Sequence, residues 1–373
     1  MSGQWRYIAD EKVSASFGLA ADEWLMGGYT HPNSPYSATL RLYTYRSHCV
    51  LVGRFQNVEA EVRVAECQRR GIAINRRPTG GGAIIMGEGQ LGIALVTATS
   101  AAGSPTGARE AIQTYAPALI AGLASLGIEA TFRGKNDIEV KGRKIAGLGA
   151  YLDEQGALLF HCSLLADLDL PLMLRLLNIP LEKISDKEIR LFEERLTTVA
   201  RELGRPITPA QIRPNIQKGV ADTFAATMIP MDFAPKEHQE IACLEREKYL
   251  TPEWVYQKNS PQDSAGSSVR KTPAGLVRVD LSLAGEVIKN LVISGDFMTS
   301  PPALNRIEAG LRWSSIDPAQ VTAVVRKELS PTEGQLLGLT PEELSQCIVA
   351  AAADARSRCA CFLRPRPEPG DGP

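Results

Sequence analysis

Two arginines run into three consecutive glycines at Arg76-Arg77-Pro78-Thr79-Gly80-Gly81-Gly82-Ala83-Ile84-Ile85. Glycine lets a backbone come close to a ligand and turn its N–H groups toward it, which suits a phosphate or a carboxylate. Guanidinium groups add fixed charge and paired donors for the same anions. The segment lacks a Gly-Lys-Ser/Thr ending and the Gly-x-Gly-x-x-Gly spacing, so it is neither a Walker A loop nor a dinucleotide fingerprint. Alone it reads equally well as a tight turn. A second stretch changes that: Asn136-Asp137-Ile138-Glu139-Val140, then Lys141-Gly142-Arg143-Lys144-Ile145-Ala146-Gly147. Asp137 offers a hard oxygen of the kind Mg²⁺ takes beside phosphates. Lys144 offers a compact charge for a carboxylate and an attacked phosphate. Taken singly these are solvated hairpin charges; with the glycine segment they describe a site that joins a carboxylate to a nucleotide phosphate.

These residues need elements to hold them. Ile138 and Val140 alternate with Glu139, and Lys141-Gly142 supplies a turn, which predicts a hairpin with Lys144 near its tip. Phe17, Ala21, Trp24 and Leu25 fall at helical spacing, while 40–45, 50–52, 72–74 and 92–96 read as strands. A helix is expected near 58–70, another opening at Ser104-Pro105, others over 172–177 and 187–203, and one opening at Pro209 that carries Phe224. Strands outnumber strict βαβ alternation. The expected fold class is therefore α/β (α+β), a mixed, largely antiparallel sheet packed with helices.

With the motifs in place the chain resembles the lipoate–protein ligases. The resemblance rests on Arg76-Arg77-x-Thr79-Gly80-Gly81-Gly82-Ala83, Gly134-x-Asn136-Asp137-Ile138, Arg143-Lys144-Ile145-x-Gly147 and His161-x-Ser163-Leu164-Leu165, with Gly53-Arg54-x-Gln56-Asn57 before them. It implies a fold shared with biotin–protein ligases, and activation of lipoate by ATP to lipoyl-AMP before transfer to a lysine of a lipoyl-carrier protein. ATP, Mg²⁺ and lipoate would be substrates, with no tightly bound cofactor. Lys144 is the implied catalytic charge. Arg77, the backbone from Gly82 through Ala83 and Ile84 to Ile85, Asn136 and Asp137 are implied for ATP and the adenylate, Asp137 also for Mg²⁺. Arg76, Gly80, Gly81, Gly147 and His161 are implied for lipoate, whose apolar arm wants a tunnel. A basic patch of Arg69, Arg70, Arg76 and Arg133 would steer an acidic carrier.

Three departures stand out. Met86 replaces a histidine usual in the family, Leu148 is an extra residue expected to lengthen the loop after Lys144, and Cys162 replaces a small residue after His161. Cys162 opens an alternative: an ATP-independent octanoyl or lipoyl transferase with a cysteine thioester, as in relatives on the same fold. His161 beside Phe160 reads more simply as a hydrogen-bonded wall residue than as a base.

Composition fits an ordinary globular enzyme, with 44% hydrophobic residues and 41 basic against 42 acidic. That balance gives no pull toward nucleic acid or membrane, no apolar run spans a bilayer, and the start lacks a signal-peptide core, so a cytoplasmic location is expected. Seven scattered cysteines without a Cys-x-x-Cys pair indicate neither a disulfide framework nor a zinc knuckle. At 373 residues the chain has room for two cores. The expected organisation is a catalytic domain over 1–257, a polar linker over 258–270, a small accessory domain over 271–355 and a disordered tail over 356–373. The accessory domain rests on Gly275-Leu276-Val277-Arg278-Val279 and Gly295-Asp296-Phe297, which look like the domain some bacterial ligases carry fused.

Overall fold

The chain opens with β1 (Gly3–Val13) and α1 (Ala15–Gly27), the helix capped by Ser14, whose hydroxyl accepts from the Phe17 N–H at 3.1 Å. The computed structural model describes residues 3–29, 35–101, 103–134, 136–178, 194–261, 263–273, 275–297, 303–330 and 339–362. Two compact units make up the chain: Met1–Arg54 with Val58–Gln257, and Phe55–Asn57 with Lys258–Pro373.

In the first unit β2 (Ala38–Tyr45), β3 (Cys49–Val52), α2 (Val58–Glu61), α3 (Val64–Arg69), β4 (Ala73–Arg76), β5 (Ile84–Met86), β6 (Gln90–Ala98) and α4 (Ala108–Ala124) follow. Then come β7 (Thr131–Arg133), β8 (Asp137–Val140), β9 (Arg143–Leu152), β10 (Ala157–Leu165), α5 (Leu170–Leu176), α6 (Val199–Leu203), α7 (Pro209–Phe224), β11 (Ala226–Pro230), α8 (Pro235–Leu244), a π-helical turn Glu245–Tyr249 and α9 (Pro252–Val255). Eight strands form one mixed sheet in the order β11-β1-β2-β6-β10-β9-β8-β7. Only β1 pairs in parallel, with β2 and with β11; β2, β6, β10, β9, β8 and β7 pair antiparallel. Successive residues of a strand face opposite sides. Leu159 thus joins the core under α1, while Phe160 meets the ring of Tyr115 on α4 at 5.2 Å. Covered on both faces, β2 and β6 are buried almost throughout. A smaller sheet, β4-β3-β5, carries the glycine segment between β4 and β5.

The second unit is an antiparallel sheet of β12 (Gly266–Thr272), β13 (Gly275–Ala284) and β14 (Val287–Gly295), with α10 (Ala303–Leu311), α11 (Pro318–Glu328) and α12 (Pro341–Phe362). Val277, Val279, Leu281, Ile293, Ile307 and Ile348 belong to its core. Phe55 lies in that core too: its carbonyl accepts from the Gly295 N–H at 2.8 Å and its ring is 6.3 Å from that of Phe297.

Several expectations need correction. The helix expected over 58–70 breaks into α2 and α3, because Arg63 N donates to Leu176 O and Val62 bridges Leu177. The helix expected from Ser104 starts at Ala108, since Thr106 turns its N–H and hydroxyl onto Glu110 instead. Of the helix expected over 187–203, only Val199–Leu203 is helical among the described residues. The polar stretch 258–270 is not all linker: β12 begins at Gly266, and Lys258 is buried in an ion pair with Glu308 at 2.8 Å. Residues 356–362, expected in a tail, belong to α12; the rest of that tail lies outside the described residues. Strands β1 and β11 and helix α11 were not anticipated. No helix of the described residues is long and apolar enough to cross a membrane.

Candidate active site

Lys141 (φ 52°) and Gly142 (φ 79°) turn β8 into β9, the backbone that a two-residue hairpin requires. Ile138 pairs with Ala146 but Glu139 pairs with Lys144, so Ile145 is an extra residue on β9. Such a bulge re-aims the side chains beside it. Here it sits next to Lys144. Leu148, expected to lengthen a loop, instead lies within β9 opposite Cys162. Its N–H donates to Asn136 O at 2.8 Å, and Asn136 Nδ2 donates back to Leu148 O at 3.3 Å. Lys144 Nζ approaches Asp137 Oδ1 to 2.7 Å, each side chain about a third exposed. That oxygen is buried and has no aligned hydrogen-bond donor, so the contact is an ion pair rather than a directed bond.

Arg77 organises the glycine segment from inside. Its Nη2 donates to Gly80 O and Gly82 O at 2.8 and 2.7 Å, and Nη1 to Leu51 O at 2.9 Å. Burial pushes its guanidinium down to about 10, still charged at neutral pH. Arg76 is wholly buried and spends its donors on the carbonyls of Gly53, Arg54, Trp254 and Val255. Burial first, then Arg77 and Arg54, bring it to about 9. Gly53 packs so closely that a Cβ there would lie 2.0 Å from Gly81 O, and Gly81 itself has φ 89°. His161 Nε2 shares a 2.7 Å hydrogen bond with Thr79 Oγ1. Burial and the charge of Arg77 hold His161 down to about 3, so it is neutral at physiological pH.

A cavity of about 150 Å³ lies where these parts meet. Gly80 through Ile84 form one side and Asn136, Lys144, Gly147, His161 and Cys162 another. Leu19, Tyr43, Tyr45, Leu51, Met86 and Leu148 add apolar and aromatic wall. An ammonium beside an apolar recess can hold the acid head of a small aliphatic molecule while its chain is desolvated. Cys162 is the one cysteine lining this cavity, and burial raises its thiol far above the ordinary range, against a smaller lowering by Lys144.

A model of the lipoyl protein ligase A/B catalytic domain family matches residues 14–221, more than half of the chain. The chain belongs to that family. Octanoyltransferase LipM of Kyrpidia tusciae is 28% identical over 276 residues, a match covering 68% of this chain and 99% of that protein. LipM of Brevibacillus brevis is 27% identical, covering 67% and 98%. Among solved structures, a bi-partite lipoate protein ligase from Thermoplasma acidophilum matches at 26% identity and TM-score 0.60, over 69% of this chain and 96% of that one. P. falciparum LipL1 in complex with lipoate is 15% identical, with a TM-score of 0.71 over 93% of this chain and 99% of that one; that likeness is one of fold.

As a member of the lipoyl protein ligase A/B family, the chain is an enzyme of lipoyl or octanoyl transfer. Of the residues expected from sequence, Arg77, Gly80, Gly81, Gly82, Ala83, Ile84, Asn136, Lys144, Gly147 and His161 gather at the cavity. Asp137 joins them through Lys144. Arg76 does not: its guanidinium is a buried brace saturated by carbonyls. The side chain of Ile85 turns away into the apolar cluster of Val50 and Val52. The basic patch is largely spent, with Arg69 and Arg70 both on Glu66 and Arg133 3.8 Å from Glu139. Tyr43, Tyr45 and Leu19 were missed as wall, although the alternation in Leu40-Arg41-Leu42-Tyr43-Thr44-Tyr45 places both tyrosines on one face. Among the described residues no group of three His, Cys, Asp or Glu gathers for a metal. The Asp137 carboxylate, already paired with Lys144, suits Mg²⁺ only as one ligand to an ion carried by phosphates.

Proposed function

We propose that this protein activates a lipoyl or octanoyl carboxylate as its adenylate at Lys144 and passes the acyl group to a lysine of a lipoyl-carrier protein. The observation that carries this reading is the Lys144 ammonium, aimed by a β-bulge into an apolar cavity opposite the glycine segment. A carboxylate is a poor acyl donor because its leaving group would be oxide. Attack on the α-phosphate of ATP replaces that leaving group with AMP and expels pyrophosphate. Two anions meet in this step, so preorganised positive charge is the main requirement. Lys144 meets it at the carboxylate and α-phosphate oxygens, while Arg77 holds the glycine segment against them. Mg²⁺, held by Asp137 and the triphosphate, would neutralise the leaving pyrophosphate. The carrier amine then attacks the mixed anhydride, and AMP leaves.

A second reading is favoured by the relatives' names. As an octanoyltransferase, the enzyme would take the acyl group from a carrier thioester onto the sulfur of Cys162, releasing the carrier thiol, and the acceptor lysine would then displace Cys162. Burial raises the Cys162 thiol, so this route needs a neighbouring base to take its proton as the thioester forms.

Intact-mass measurement of a lipoyl-carrier domain decides between them. With lipoate, ATP and Mg²⁺, a lipoyl mass gain lost in Lys144→Ala and kept in Cys162→Ser supports adenylation. A gain seen only with octanoyl-carrier protein and without ATP, lost in Cys162→Ser, overturns adenylation in favour of the transferase.

A further inference from the structure

The backbone of Lys144 is held by a strand-like segment that no motif marks. Pairing between β9 and β10 ends at Ala146 with Leu164. Beyond it, the edge of β9 that carries Lys144 would leave an N–H and a C=O unpaired inside the protein, which is costly. Residues 195–197 fill that edge: Lys144 N donates to Arg195 O at 2.8 Å, Thr197 N donates to Lys144 O at 2.9 Å, and Leu196 bridges Lys144 in parallel. The segment is tied down in turn. Thr197 is 1% exposed, and its hydroxyl donates to Glu202 Oε1, the same oxygen that accepts from Arg143 Nη2 at 2.9 Å. Glu202 lies on α6, which Ala200 anchors by donating its N–H to Ala166 O, just past the end of β10.

We infer that Thr197 and Glu202 are positioning residues for Lys144. One buried carboxylate links the residue before the lysine to the residue that holds the lysine's carbonyl. The bulge at Ile145 leaves the side-chain direction of Lys144 dependent on this clamp, because a bulged strand is not fixed by its ladder alone. The inference rests on Lys144 being the catalytic charge, as proposed above.

The test uses the full chain and the variants Thr197→Val, Glu202→Ala and Glu202→Gln. Amide hydrogen exchange, read by mass spectrometry over 143–146, reports the clamp directly; α4 serves as the control. Thr197→Val and Glu202→Ala should speed exchange at Lys144 at least tenfold, leave α4 unchanged, and lower kcat at least tenfold with KM for the carrier domain within about twofold. Glu202→Gln, whose amide oxygen still accepts from Thr197, should recover most of both. Unchanged exchange at Lys144 overturns the inference whatever the activity. Faster exchange with unaltered kcat overturns it too, since the clamp would then position nothing that matters. If the unaltered chain acylates no carrier by either route, the functional reading falls while the exchange arm still decides the clamp.

Discussion

At the scale of single residues, His161 shows how burial decides a role that its type leaves open. Its folded value of about 3 lies below the ordinary histidine value of about 6.5. Between those values the unfolded chain binds the extra proton, so stability is complete above pH 6.5 and is lost as pH falls toward 3. His161→Gln, which keeps a partner for Thr79, should flatten the stability–pH curve over that window by at most about 1.4 kcal/mol per pH unit. Urea titrations at a series of pH values check this, and an unchanged difference from wild type across the window would show that the histidine is already charged. The glycines make an opposite pair. Gly53→Ala sets a methyl 2.0 Å from a backbone oxygen that cannot swing aside, and overpacking of this kind costs about 1–3 kcal/mol. A Cβ at Gly82 meets nothing within 4 Å, so Gly82→Ala should leave the denaturation midpoint unchanged while raising KM for the small substrate. Equal destabilisation of the two variants would contradict this account.

At the scale of elements, α1 is pinned to β2 by a buried charge network directly under the cavity wall. Arg41, with no exposed side-chain surface, meets Asp22 at 2.7 Å and Asp10 at 2.6 Å, and Tyr43 donates to Asp22 at 3.0 Å. Removing one partner of such a pair strands a charge and costs about 3–5 kcal/mol. Asp22→Ala should therefore destabilise the first unit by about that much, and Asp10→Ala by less, since Asp10 is 19% exposed and water can replace it. Denaturant midpoints of the two variants give the comparison, and a smaller loss for Asp22→Ala would reverse the ranking. The network also marks the limit of what the sequence discloses. The hairpin of Lys141-Gly142 and the apolar spacing of α1 were legible because local chemistry determines them. The partners of Arg41 lie 19 and 31 residues away, and nothing local announces them. The same holds for Arg76, whose partners Trp254 and Val255 lie far along the chain; its type fitted a ligand role until the fold spent its donors. β1 and β11 were missed for a related reason, because their parallel pairing leaves no mark on spacing.

At the scale of the whole molecule, the matched LipM proteins are covered almost completely by about two thirds of this chain, and residues 258–373 lie outside the matched catalytic-domain span of 14–221. Among the described residues, the cluster under α1 and the cluster around Val50, Val52 and Ile85 draw on no residue beyond Tyr256. A chain ending at Gln257 should therefore keep its far-ultraviolet circular dichroism and a cooperative unfolding transition. Activity should not survive as well. Gly53 and Arg54 brace the glycine segment, Gly53 through its carbonyl to Arg76 and Arg54 through its N–H to Thr79 O at 2.9 Å. The very next residue, Phe55, belongs to the core of the second unit. Deleting 258–373 strips the surroundings of Phe55 and frees the backbone at the point where the brace ends. Carrier acylation should fall at least tenfold in the shortened chain. In the full chain Phe55→Ala should cost the second unit about 3–5 kcal/mol and lower acylation in the same direction by less. A shortened chain that acylates the carrier at the full rate would show that the second unit contributes nothing to the site and that the brace needs no seat for Phe55.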